Sequence, residues 1–247
     1  MPLMQWYWPV AVAPFVGSFL TVLITRLPDG RTVVWGRSSC DHCGHPLGIA
    51  DLVPIASWLA AGGRCRHCDR PVAALYAGVE AAALAAAVWA AAVTAGASLW
   101  LSCALAWCLL ALAIIDAREG LLPDALTVPL LLTGLAAAFS EGAADLLDRG
   151  IGAIVGFASL ALVRVLYRRI RSREGLGLGD AKLLGAAGAW VSWEGLSSVV
   201  LIGSVAVLTW TLVERWRGRP VSPSQRIPFG PGLCLGAWLV WLYGPLG

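Results

Sequence analysis

Residues 99–116 read LWLSCALAWCLLALAIID: seventeen residues without a charge, closed by an acid. A helix needs about 20 mostly apolar residues to cross a bilayer, so this run predicts a membrane span ending on Asp116. A second acid has a similar setting. Gly177-Leu178-Gly179-Asp180 follows the basic stretch 168–173 and precedes the apolar run 183–191. An ionised carboxylate at the end of a membrane segment costs free energy unless it has a partner. Both acids are therefore functional-site candidates.

The rest of the chain fits a membrane setting. Of its 247 residues 58% are hydrophobic and 13% charged, too apolar for a soluble domain. Working outward from 99–116, eight spans are predicted: 6–24, 75–95, 99–115, 125–139, 150–167, a short sixth at 181–191, 196–213 and 227–246. The first has no basic n-region and no small-x-small cleavage site, so it reads as a retained span. Between spans lie the turn 96–98, a polar loop 116–124, an acidic loop 140–149 and a basic loop 214–226. Of the eighteen Lys and Arg residues, only Arg149 falls in a loop predicted to lie outside. By the positive-inside rule both termini lie outside, and Asp116 and Asp180 share the inner side. The fold class is an all-α polytopic membrane protein with about eight transmembrane helices. Three regions are expected: a first span at 1–24, a polar module at 25–74 and a seven-span catalytic domain at 75–247.

The module holds Cys40-Asp41-His42-Cys43 and Cys65-Arg66-His67-Cys68, two C-x-x-C pairs. Cys40, Cys43, Cys65 and Cys68 at this spacing suit a tetrahedral, structural Zn²⁺ site. A segment of about fifty residues with little apolar content builds little core, so bound metal would supply folding free energy. A redox dithiol is the rival reading. His42, His45 and His67 read as solvated loop residues. Cys103, Cys108 and Cys234, within spans, read as packing residues. Glu80, early in the second span, reads as a headgroup-level acid near a helix N-terminus.

Two carboxylates brought together can share one proton, one activating water while the other polarises or protonates. That predicts a membrane-embedded aspartyl protease built on Asp116 and Asp180. The plain structural alternative is that Asp180 caps the sixth helix. Gly177 and Gly179 remove side chains before Asp180 and let backbone come close. Pro228 and Pro231 bracket Gly230 where irregular backbone must be buried or face water. Glu119 and Asp124 lie on the same side, so topology alone leaves the partner of Asp180 open. Asp124 and Lys182 are supporting candidates.

These residues together resemble the prepilin peptidases, or type IV leader peptidases, of the Gly-x-Gly-Asp aspartyl protease class. The resemblance covers nearly the whole chain. It rests on Gly17-Ser18-Phe19 with Arg26-Leu27-Pro28, on both C-x-x-C pairs, and on Pro54, Ser57-Trp58-Leu59 and Gly63-Arg64-Cys65. It rests further on Glu80, on Ile115-Asp116 with Leu122-Pro123-Asp124, on Gly177-Leu178-Gly179-Asp180-Ala181-Lys182-Leu183, and on Pro228-Phe229-Gly230-Pro231. The family usually has Asn where Thr21 stands and Pro where Asp41 stands. The resemblance implies cleavage of the short basic leader of type IV prepilins and pseudopilins. It places the enzyme in the bacterial inner membrane with its catalytic side cytoplasmic. It selects Asp116 rather than Asp124 as the partner of Asp180, and implies zinc on the four Cys. Many members also N-methylate the new N-terminus with S-adenosylmethionine.

Two readings from other classes stand beside this one. A membrane thiol oxidoreductase would use redox-active C-x-x-C pairs. A non-enzymatic scaffold or transporter would use the acids as an ion path. The expected partners are a prepilin or pseudopilin and the lipid bilayer, not nucleic acid, because the basic residues track the predicted inner edge of the membrane.

Overall fold

A computed structural model describes residues 7–33, 38–40, 42–171, 175–218 and 227–246. Asp41, Arg37, Arg173 and most of the basic loop before the last span lie outside the described residues. The chain is helical: α1 (Tyr7–Arg26), α2 (Ala56–Ala60), α3 (Leu75–Val93), α4 (Ala97–Glu119), α5 (Asp124–Glu141), α6 (Ala143–Arg171), α7 (Leu178–Trp216) and α8 (Gly230–Tyr243). Among the described residues there is no strand, only two isolated bridges. Among the described residues six helices are long and apolar enough to cross a membrane, and α8 is a shorter apolar helix of 14 residues. Helix α7 runs for 39 residues but breaks at Ser192 (φ 59°, ψ −175°). The break falls between the expected sixth and seventh spans and leaves eight apolar segments. The protein is an all-α polytopic membrane protein.

Three boundaries differ from the sequence reading. Asp116 does not end its helix. Ala117-Arg118-Glu119 carry α4 on for most of a turn, until Gly120 takes a left-handed conformation (φ 64°) and bonds its N–H to the Asp116 carbonyl at 2.9 Å. This is a glycine C-terminal stop. The acidic stretch expected as loop 140–149 is mostly helix. Only Gly142 (φ 147°) separates α5 from α6, and Asp145 sits in the first turn of α6, where a negative charge meets the positive end of the helix dipole. Third, α5 opens on Asp124 directly after Pro123.

Contacts divide the chain into two compact units, Met1–Ala111 and Leu112–Gly247. In the first, α1 lies on α3, and the approach is set by Gly17. A Cβ there would stand 2.6 Å from the Glu80 Cα. In the same unit the Trp107 indole N–H donates to the Ala83 carbonyl at 3.1 Å.

In the second unit α7 is central, packed by α5, α6 and α8. Small residues decide its contacts. Gly152 and Gly156, four apart on α6, meet the backbone of Gly188 and Leu184. Gly232 and Gly236, four apart on α8, meet Gly203 and Val199. Small-xxx-small faces let backbones close in where lipid removes the hydrophobic drive for association. From α5, Gly134 seats the Trp190 ring, whose N–H donates to the Leu130 carbonyl at 2.8 Å.

Candidate active site

Asp116 stands on the last turns of α4 and Asp180 on the first turn of α7, both in the second unit. Their exposures are 6% and 8%, low for carboxylates. The charge of Asp116 acts on Asp180. The Gly230 N–H, at the start of α8, donates to Asp116 Oδ2 at 3.0 Å. Asp180 is the third residue of its helix and reaches back to the Gly177 N–H. That is half of a capping box. Asp180 thus caps its helix and also faces a second acid, so the capping alternative is present but does not exhaust its surroundings.

The two glycines before Asp180 serve packing. A Cβ on Gly179 would stand 3.0 Å from the Leu122 Cβ. Gly179 therefore seats Leu122, from the connection between α4 and α5, on the start of α7. A Cβ on Gly177 would stand 3.1 Å from Asp180 Oδ2, so its absence leaves room for the carboxylate.

Lys182 does not neutralise the pair. Its ammonium donates to both oxygens of Asp124, at 2.7 and 2.9 Å. This joins the first turns of α5 and α7 beside the acids.

Glu80 is elsewhere, in the first unit. It lies beyond the first turn of α3 with 6% exposure, and its Oε2 accepts the Ile55 N–H at 2.6 Å. Ile55 has φ 61°, a strained conformation for a β-branched residue.

The four cysteines of the module converge. The sulfurs of Cys40, Cys43, Cys65 and Cys68 all lie within 4.8 Å of one another, and no disulfide joins them. Four thiolates about 2.3 Å from one zinc would be roughly 3.8 Å apart; Cys40 and Cys68 are at 3.9 Å. The two Cys turns repeat each other. Cys40 N–H bonds the His45 carbonyl and Cys65 N–H the Arg70 carbonyl, both at 2.9 Å. Gly44 (φ 67°) and Asp69 (φ 54°) take the same left-handed place after the second Cys of each pair. N–H groups of Cys43 and His42 pull the Cys40 thiol down to about 7. The three His side chains are exposed. Cys103 and Cys234 are buried packing residues.

The sequence reading assigned no role to Gly230 or Leu122. Both lay in quoted motifs, but a backbone donor and a packing leucine leave no chemical signature in a sequence.

Comparison with known proteins gives the site its context. The bacterial peptidase A24 N-terminal domain matches residues 12–94, and the type IV leader peptidase family matches residues 103–212. A prepilin leader peptidase/N-methyltransferase of Burkholderia pseudomallei is 39% identical, over 98% of this chain and 86% of that protein. Proteins of the same description from Aeromonas hydrophila and Pseudomonas aeruginosa are each 35% identical, over 93% of this chain and 87% of theirs. No solved structure matches the chain. Both domain matches fall in order along one chain, and identity extends across nearly all of it: the chain is a protease that belongs to the type IV leader peptidase family.

Proposed function

We propose that the protein cleaves the leader of type IV prepilins and pseudopilins at the cytoplasmic face of the bacterial inner membrane, with Asp116 and Asp180 as its catalytic pair. The observation that carries this reading is the burial of these two acids, one on the last turns of α4 and one on the first turn of α7, with the charge of Asp116 acting on Asp180, in a chain of this family. The substrate's apolar helix lies in the bilayer and presents the scissile bond at the membrane edge. The acids hold a water. One takes its proton as it attacks, while the other polarises the carbonyl, and the pair titrates as a unit. No covalent intermediate is required. Gly230, Gly177 and Leu122 hold the acids' surroundings in place, and the Asp124–Lys182 pair fixes α5 against α7.

Cys40, Cys43, Cys65 and Cys68 would hold a structural Zn²⁺, which stabilises the module when bound. Convergence of all four sulfurs favours this over a redox dithiol, which needs only one pair. The relatives' descriptions include N-methyltransferase. We extend this to transfer of a methyl group from S-adenosylmethionine to the N-terminus that cleavage frees.

The test is cleavage of a type IV prepilin in membranes by the wild type, Asp116→Asn and Asp180→Asn. Each substitution alone is expected to abolish cleavage while insertion and metal content stay unchanged. Survival of cleavage in either variant would sink the diaspartyl reading.

A further inference from the structure

Residues 49–59 join the two Cys turns and carry an unusual surface. Ile49 is 89% exposed, Leu52 42%, Val53 44% and Leu59 64%, the exposed large apolar side chains among the module's described residues. All four lie within six residues of Ile55, whose N–H is held by Glu80.

That bond fixes the segment's depth. Glu80 is five residues into α3, about 7.5 Å past its start at 1.5 Å per residue. The neighbouring helix gives an independent measure. Glu80 packs on Gly17, which lies seven residues before Ile24 near the end of α1, about 10 Å inward along that helix. By both measures the Glu80 backbone lies inward of the helix ends, and its side chain, tilted back toward the start of α3, holds the Ile55 amide near the level at which the two spans enter the apolar layer. Non-helical backbone at such depth is tolerated only where protein satisfies its polar groups. Glu80 does so for Ile55. This accounts for a carboxylate inside an otherwise uncharged apolar helix.

We propose that residues 49–59 form a re-entrant, interfacial loop that seats Ile49, Leu52, Val53 and Leu59 among phospholipids at the headgroup–acyl boundary. Exposed apolar side chains held at this level meet lipid, where their burial is favourable. The charges agree. Arg66, which pairs with Asp51 at 3.5 Å, Arg64, which pairs with Asp69 at 3.2 Å, and the exposed Arg70 follow the loop, as anionic headgroups favour. The Cys turns are then held against the membrane by the loop between them as well as by the helices on either side.

The experiment is photocrosslinking of the full chain in vesicles of phosphatidylethanolamine and phosphatidylglycerol. A benzophenone amino acid replaces Ile49, Leu59 or, as control, the exposed His42 on a Cys turn. Lipid adducts, read by mass spectrometry, are expected at positions 49 and 59 several-fold above position 42. Glu80→Ala should reduce the adducts at 49 and 59 towards the control, and Glu80→Gln, which keeps an acceptor for the Ile55 N–H, should preserve them. Equal yields at all three positions overturn the proposal. So do adducts that, in cell membranes, form with a protein instead of lipid. The readout needs no peptidase activity, so it stands or falls apart from the diaspartyl reading.

Discussion

A methyl group at position 230 would meet Asp116 Oδ2 at 2.5 Å. It must displace either the carboxylate or the start of α8, and with it the 3.0 Å bond from the Gly230 N–H. Misplacing a reacting group by about 1 Å can cost roughly 100-fold in rate. Gly230→Ala is therefore expected to lower kcat by about that factor while KM for a prepilin changes little. A variant whose KM rises and whose kcat holds would place Gly230 in substrate binding instead. Residues of this kind separate what was readable from what was not. Asp116 and Asp180 stood out because a carboxylate beside apolar runs is costly, and cost marks function. Gly230 acts through a backbone N–H, 114 residues from its acceptor, and every residue but proline has that group. The Gly-x-Gly was noticed, but its neighbour was not: Gly179 makes room for Leu122, from a part of the chain that no local pattern links to it.

Helices in this protein meet through glycine, and that makes their packing testable one methyl at a time. A Cβ on Gly188 would lie 2.2 Å from the Gly152 carbonyl oxygen, whereas one on Gly150 would meet nothing within 4 Å. Gly188→Ala should destabilise the fold by about 1–3 kcal/mol through overpacking. Gly150→Ala should be neutral or stabilising by roughly 0.5–1 kcal/mol, since it removes a flexible residue from a helix. Denaturant titration in micelles measures both; equal effects would mean that α6 and α7 do not cross at Gly152 and Gly188. The ion pair between α5 and α7 calls for a smaller expectation. Lys182 and Asp124 have side chains 38% and 61% exposed, and exposed pairs contribute about 0–1 kcal/mol. A double-mutant cycle of Asp124→Asn and Lys182→Gln should return a coupling within that range. Element boundaries were the least legible feature. Polarity marks where a chain leaves the membrane, and helices need not end there: α4 continues past Asp116, and α6 begins within the acidic stretch. The break at Ser192 was legible because Ser192-Trp193-Glu194-Gly195 interrupts an apolar run.

At the scale of the molecule, the proposed catalytic acids and the candidate metal ligands fall in different units. Asp116, Asp180, Gly230, Leu122 and the Asp124–Lys182 pair all belong to Leu112–Gly247, and the four cysteines belong to Met1–Ala111. Among its described residues the module buries no large apolar side chain fully. Trp58 closes over Gly63 and bonds the Val72 carbonyl at 3.3 Å, but its Cys turns rest on isolated bridges. We expect a segment so lightly packed to draw on bound metal for folding free energy. The helices of the second unit, packed along α7 through close backbone contacts, have no such dependence. Stripping metal with a chelator, or Cys65→Ser, is therefore expected to collapse amide-exchange protection in residues 40–71 and to leave it intact across α5, α6 and α7. Metal content should fall from one ion per chain towards none in parallel. Loss of protection along α7 as well would mean that the acids' helices borrow stability from the module. Unchanged protection in residues 40–71 would mean that the Cys turns fold without metal, and the cluster would then have to be read as four thiols rather than as a zinc site.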